Sequence, residues 1–394
     1  MTEQVNTPEL RFPEFTEKLI LQKLNSVASV TMGQSPKSSN YTDDFKQMTL
    51  VQGNADLKNG KINSRIYTTE ITKIAKVQDI ILTVRAPVGE LAIAQKEVCI
   101  GRGVCAIKAN KFVYYFLEKL KINKLWTRLS QGSTFEAISG NDIKNINVTL
   151  PSKKEQTKIG DFFSKLDRQI ELEEEKLKLL EQQKRGYMQK IFSRELRFKD
   201  ENGNDYPDWK LKKLSNIADI IGGGTPSTKK SEYWDGDINW FSPVEIGDKE
   251  FVSTSQRRIT EKGLEKSSAK MLPIGTVLFT SRAGIGKTAI LSKEATTNQG
   301  FQSIVPKEND LDSYFLYSMT SILKRNAEKV GAGSTFSEVS RKQMEQIKLL
   351  IPILKEQKQI GRLFQIINRK INKQIHKIEL LKQRKKGLLQ KMFV

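Results

Sequence analysis

Two stretches, one mid-chain and one at the end, place apolar residues on alternating steps of four and three. The first runs Ile159, Phe163, Leu166, Ile170, Leu177, Leu180, Tyr187 and Ile191, with polar Glu173 and Lys184 on the missing steps. The second runs Ile360, Phe364, Ile367, Ile371, Ile378, Leu381, Leu388 and Met392, with Gln374 and Lys385 on the missing steps. A 3.5-residue period held this long predicts two long helices that pair along a seam. Polar residues at matching seam steps fit control of register.

The two seams agree position by position at an offset of 201 residues, and the agreement extends beyond them. GSTFEAIS (132–139) lies on GSTFSEVS (333–340), and LPSKKEQTKIGDFF on IPILKEQKQIGRLF, without a gap. Upstream the match continues with shifts: ELRF at 9–12 and 195–198, KLNSVASVTMGQSP against KLSNIADIIGGGTP, and ILTVRAPVG against LFTSRAGIG. The chain therefore reads as an internal two-fold pseudo-repeat of divergent blocks on similar tails. Charge favours pairing the tails with each other. Residues 152–193 hold ten basic and eight acidic side chains, the acids bunched at Glu171, Glu173, Glu174 and Glu175, whereas 353–394 hold twelve and two. An antiparallel pair aligned at its centres sets that bunch near Lys370, Lys373 and Lys377. Exposed pairs of this kind are worth at most about 1 kcal/mol each, so they select the partner more than they hold it.

The divergent blocks alternate β-rich runs (79–84, 90–94, 275–281, 288–292) with Gly- and Pro-marked turns, and each contains a helical pattern, at 111–126 and 310–329. The expected class is α+β: two mixed α/β domains at 1–150 and 195–351, and two long helices at 151–194 and 352–394 forming an antiparallel coiled coil.

Composition sharpens this. A length of 394 residues suits two domains, and 38% hydrophobic with 28% charged residues is a folded, polar-leaning composition. The formal charge of +21 attracts polyanions, nucleic acid first and an anionic membrane surface second. No run approaches a membrane span, and MTEQVNTPELRFPEF has no signal-peptide pattern. The two cysteines, Cys99 and Cys105, fit no common zinc spacing and point to a reducing cytoplasm.

Searches for chemistry find little. GIGKTAI (284–290) invites a phosphate-loop reading, but that motif needs glycine where Ser281 stands and a helix where a strand is expected. A tight turn between two strands is the better reading. One histidine, His376, leaves nothing for histidine-based catalysis or a histidine metal site. Glu232, Asp235 and Asp237 read as a solvated loop rather than a nuclease centre. The chain is expected to recognise rather than catalyse, with no metal and no bound cofactor.

The residues suited to DNA contact recur in both copies. Loops 33–41 and 222–234 offer Lys37, Ser38, Asn40 and Tyr41 in one copy and Thr228, Lys229, Lys230 and Tyr233 in the other. Arg85 and Arg282 occupy matching turns, the latter followed by Lys287, and Arg102, Asn298 and Gln299 flank matching glycines. Arg128 and Gln131 precede the first GSTF, Ser133 and Thr134 stand in it, and Ser334 and Thr335 stand in the second. Hydroxyls and lysines serve phosphate; Asn, Gln and Arg can read base edges. GSTF itself either shapes a DNA-facing rim or caps its domain, and its exposed-type residues favour the rim.

Taken together, KLSNIADIIGGGTP, LFTSRAGIG, TNQG (297–300), GSTFSEVS and the twice-used Pro…Glu-Gln…Ile-Gly entry to a long helix make the chain resemble the specificity (S) subunit of type I restriction–modification enzymes along nearly its full length. The resemblance implies two target-recognition domains, each reading half of an interrupted double-stranded DNA site, and two conserved helices as an antiparallel spacer. It implies two methyltransferase (M) subunits binding S-adenosylmethionine and methylating adenine, and motor–nuclease (R) subunits using ATP and Mg. A bipartite DNA-binding regulatory or structural adaptor, without a methyltransferase, is the alternative.

Overall fold

The computed structural model describes residues 7–130, 137–282, 284–331 and 338–394. It divides into two compact units, 1–177 with 374–394, and 178–373. The cuts fall inside the two long helices, Lys153–Phe192 and Leu354–Met392, so each unit takes one end of each helix.

In the first unit a six-stranded sheet runs in the order Ser29–Met32, Val104–Lys108, Ile80–Thr83, Leu91–Ile93, Lys61–Ile62, Leu57–Lys58. The central strand Ile80–Thr83 is buried along its whole length, which is why its sequence, IILT, does not alternate apolar with exposed polar residues. A five-stranded sheet built on Met48–Val51 and Val98–Ile100 packs beside it. Cys99 and Cys105 lie here as buried free thiols, and burial pushes the Cys105 thiol up to about 12. Helix Lys111–Ile122 buries Phe112, Val113, Tyr115, Phe116 and Leu117 in the same core as Ile159, Phe163, Leu166 and Ile170 of the first long helix.

The second unit also carries two main sheets. Its five-stranded sheet runs Ala218–Gly222, Gln302–Pro306, Val277–Phe279, Thr288–Leu291, Phe251–Val252, beside a three-stranded sheet of Arg257–Ile259, Trp234–Phe241 and Thr296–Thr297. Each unit also closes a two-stranded antiparallel ribbon between its first and last strands: Ile20–Lys23 with Asn147–Leu150, and Lys210–Lys213 with Lys348–Ile351.

The twice-used Glu-Gln…Gly sequence is a joint between domain and helix. Glu155 is buried and accepts from Arg11 Nε at 2.8 Å and Nη2 at 2.7 Å. Glu356 is buried and accepts from Arg197 Nε at 3.2 Å and Nη2 at 2.8 Å. Gln156 accepts from the side chain of Asn110, the N-cap of Lys111–Ile122, while Gln357 accepts from the amide of Asp312, the N-cap of Ser313–Ser318. Gly160 lets the long helix approach that capped helix: a Cβ there would sit 2.8 Å from Lys111 Cβ. Gly361 does the same against Asp312 and Phe315.

Within the first unit the two helix ends run in opposite senses. Phe163 meets Phe393, Asp167 pairs with Lys385 at 2.6 Å, and Glu173 meets Gln374. Gln374 Nε2 donates to Glu173 Oε2 at 2.6 Å and to the Glu173 carbonyl at 2.9 Å. The bond from Gln374, and behind it Lys377, holds the Glu173 carboxyl below its usual value. Its contribution to stability is therefore present at neutral pH and lost as pH falls through that lowered value. Glu174 pairs with Lys382, and Glu171 with Lys61 and Arg168. Of the three lysines expected opposite the acidic bunch, Lys377 is a partner; Lys370 and Lys373 make no ion pair among the described residues.

The outer seam residues Ile159, Phe163, Leu166, Ile170, Ile360, Phe364, Ile367, Ile371 and Ile378 are buried, whereas Leu177, Leu180 and Leu381 are half-buried. Toward the C-terminus the buried face moves from Leu388 to Leu389, which enters the first unit's core with Met392 and Phe393. The outer turns thus pack into domain cores as well as along a seam, and a straight helix drifts off a strict heptad.

Replacing Arg197 with Ala leaves a carboxylate of 0% side-chain exposure without its cation. The second unit should lose about 3–5 kcal/mol, read as a lowered urea midpoint. Lys262→Ala, which breaks the exposed pair with Glu232, should shift it little.

Candidate nucleic-acid interface

In the second unit the glycine-rich loop before strand Trp234–Phe241 hangs from two indoles. Trp240 Nε1 donates to the Gly224 carbonyl at 2.8 Å and Trp234 Nε1 to the Ser227 carbonyl at 3.1 Å. The rings meet edge to face with centroids 5.1 Å apart. The glycines are needed for close approach: a Cβ on Gly223 would lie 2.0 Å from the Asn298 carbonyl oxygen, and on Gly224 2.3 Å from the Ala269 nitrogen. The loop base is thereby fixed, while Thr225, Thr228, Lys229 and Lys230 stay exposed. Exposed Gln299 accepts from the Thr225 hydroxyl, which joins it to this strip. Asn298 serves the turn instead, its Oδ1 accepting from the Gly300 amide at 2.8 Å.

Tyr233 is not on the surface where the sequence placed it. It is buried with Trp234, Trp240, Ile259 and Ala269 because the single turn Ser231–Tyr233 tucks its ring under the loop. The Lys230 ammonium covers it instead, 3.2 Å from its hydroxyl and 5.3 Å from its ring centroid. Arg257 went unnoticed. It is exposed, pairs across the strands with Trp240, and lays its guanidinium carbon 3.6 Å from the Trp234 ring centroid. The only sequence signal for it was the pair of tryptophans on the facing strand.

GIGK is a hairpin turn. Val277–Phe279 and Thr288–Leu291 pair antiparallel, and Gly284 and Gly286 take φ of 102° and 92°, a region that favours glycine. Thr280 Oγ1 accepts from the Lys287 amide at 3.0 Å, and Ser281 is buried. Lys287 and Arg282 are exposed, with Arg282 Nε donating to Glu338 at 2.7 Å.

The first unit places its candidates on equivalent features. Loop 33–41 is pinned by Glu70, whose Oε2 accepts from the Lys37 amide at 2.9 Å and Asn40 Nδ2 at 2.7 Å. Those two donors hold the Glu70 carboxyl below its usual value. Asn40 and half-buried Tyr41, whose hydroxyl donates to the Pro36 carbonyl at 3.3 Å, therefore shape the loop, and Lys37 and Ser38 are among its exposed residues. Arg85 is exposed in the turn after strand Ile80–Thr83, where it bridges to Ala137. Arg102 is exposed, its amide donating to Ser35 Oγ at 3.0 Å. Arg128 is exposed on helix Leu125–Ser130, with Nη2 donating to the Asn123 carbonyl at 3.3 Å.

Gln131, Ser133, Thr134, Ser334 and Thr335 lie outside the described residues. The described end of the repeated phrase joins hairpin to helix. Ile138 donates to the Val84 carbonyl and Val339 to that of Ser281, while Ser139 and Ser340 cap the next short helices with full capping boxes. Among the described residues no acidic, Cys or His cluster is arranged for a metal, and no helix is long and apolar enough to cross a membrane.

The sequence matches the family described as type I restriction modification DNA specificity domain twice, over residues 21–182 and 206–382. The chain belongs to the type I restriction–modification specificity subunits. It is 38% identical over 174 residues to the type I restriction enzyme MjaIX specificity subunit of Methanocaldococcus jannaschii, covering 43% of this chain and 40% of that one. It is 30% identical over 267 residues to the EcoR124I/EcoR124II specificity subunit of Escherichia coli, covering 64% and 61%. The chain thus spans less than two thirds of the length of these curated relatives. The fold is that of the crystal structure of a type I restriction-modification system S subunit from M. genitalium, with a TM-score of 0.65 at 17% identity over 99% of both chains.

For this specificity subunit the fixed loop base is open to test. Gly224→Ala forces a methyl group into the Ala269 backbone and should cost about 1–3 kcal/mol or expel the loop. The expected readouts are a lowered urea midpoint and faster tryptic cleavage at Lys229 and Lys230.

Proposed function

We propose that each unit reads one half of an interrupted, bipartite double-stranded DNA site, and that the chain is a two-fold pseudo-repeat whose long helices form an antiparallel coiled-coil spacer. It docks two methyltransferase subunits and, in the full complex, motor–nuclease subunits. It catalyses no step itself; S-adenosylmethionine, ATP and Mg belong to those partners. The observation that carries this reading is the duplicated joint, in which Arg11–Glu155 and Arg197–Glu356 set two different domains on two like helices. The helix ends support it too. The amide of Leu196 donates to the Lys190 carbonyl at 3.0 Å, and the amide of Leu10 donates to the Lys391 carbonyl at 2.9 Å. The N-terminal ELRF thus takes from the second helix what the internal ELRF takes from the first.

Exchanging block 210–350 for that of a related subunit should change one half of the methylated site and leave the other intact, read by methylation-sensitive sequencing. A change in both halves would refute independent reading.

Binding should weaken steeply with salt, because Lys and Arg displace counterions from phosphates. Lys229→Ala should reduce the salt slope by about one with sequence preference unchanged. An altered preference would make Lys229 a base reader.

A further inference from the structure

The geometry points to Arg257 as a base-reading residue of the second unit, its guanidinium held to take the two major-groove acceptors of a guanine. This rests on the reading that the second unit binds DNA. The side chain is exposed yet stacked on an indole. It stands on Arg257–Ile259, an edge strand of its sheet, and its guanidinium carbon lies 3.6 Å above the Trp234 ring centroid and 5.7 Å from that of Trp240. Stacking on an indole fixes the plane of an arginine through cation–π attraction. Trp234 is fixed in turn by its bond to the Ser227 carbonyl and its edge-to-face contact with Trp240.

The other exposed arginines at candidate positions compare unfavourably. Exposed Arg85 and Arg102 have no aromatic ring beneath the guanidinium among the described residues, whereas Arg257 has two indoles within reach. Arg282 is paired with Glu338 and Arg128 with a backbone carbonyl. The Arg257 guanidinium has no carboxylate and no hydrogen-bond acceptor as a partner among the described residues. An unmatched fork of donors in a fixed plane suits a flat, two-acceptor edge such as guanine O6 and N7. A phosphate also accepts such a fork but needs no fixed plane, and Lys229 and Lys230, exposed on the loop that Trp234 holds, already provide point charges for it. The indole of Trp234 touches both the loop and Arg257, so the phosphate-type and base-type groups share one surface.

The test uses the full-length chain and a randomised duplex DNA library, with selected sequences compared for wild type, Arg257→Lys and Lys229→Ala. Lysine keeps the charge and much of the aliphatic stem but loses the fork. Arg257→Lys should relax one guanine in one half-site by about ten- to a hundred-fold, with the other half and the salt slope unchanged. Substituting 7-deazaguanine at that guanine should weaken wild type by a similar factor and leave Arg257→Lys unaffected. If Arg257→Lys selects the wild-type sequence, or loses affinity uniformly with a smaller salt slope, Arg257 is no base reader. Should the variant melt early, the wild-type protein alone decides: indifference to 7-deazaguanine at every guanine overturns the proposal. A wild-type chain that enriches no bipartite sequence overturns the DNA-reading function as a whole, a result distinct from an intact wild-type preference that Arg257→Lys leaves unchanged.

Discussion

A carboxylate buried at the first turn of a long helix, Glu155 in one unit and Glu356 in the other, anchors everything built on that helix. A buried charge is tolerated only with a partner of good geometry, and in each case the partner is an arginine from the segment in front of the domain. Two guanidinium nitrogens take the carboxylate, and Nη2 also donates to a backbone carbonyl, of Glu17 or of Pro207. The ribbon that follows, the capped domain helix and the long helix are thereby fixed against one another. A shift of the helix by one residue would expose the carboxylate's face to the wrong neighbours, so the joint sets rotation and register together.

The polar seam positions then differentiate the two joints. Lys385 enters the first unit between Glu118 at 2.7 Å and Asp167 at 2.6 Å, and the Asp167 carboxylate also accepts from the Tyr115 hydroxyl at 2.8 Å. Burial holds the Glu118 carboxyl above its usual value even beside that lysine. At the matching step in the second unit, burial lowers Lys184, with Glu250 as the opposing influence. There Asn368 stands where the first helix has Asp167, and it donates to Tyr314, whose hydroxyl donates to Glu250. The like seams are thus tied to unlike domains by different buried networks. The unlike pair Glu173–Gln374, residues equivalent at the repeat offset, replaces the two like carboxylates that an identical pair would bring together.

The long helices, the repeat and the hairpin under GIGK were legible because each rests on local pattern: period, offset, or two glycines in a strand–turn–strand run. The joint was legible only as a recurring phrase. Nothing in Glu-Gln…Gly says that the glutamate waits for an arginine well over a hundred residues earlier, a contact of tertiary origin. The same limit governed the candidate surface. Asn40, Tyr41, Asn298 and Tyr233 looked like contact residues by type, and their polar groups or rings are used in holding turns or filling the core. Arg257 looked like nothing, because its standing depends on Trp234, which faces it from another strand.

That contrast also separates mount from reader in physical terms. A group that is buried and paired, such as Glu356 or the Trp240 indole, has its free energy already committed and cannot respond to a ligand. A group left exposed on a rigid base costs little in the free protein, where water serves it, and gains when a partner of matching geometry replaces that water. The second unit arranges its loop in this way: Gly223, Gly224 and the two indoles fix the base, and Thr228, Lys229 and Lys230 project from it. Changing what projects leaves the base intact. Divergent blocks can therefore sit on like helices, since the fold resides in the joints.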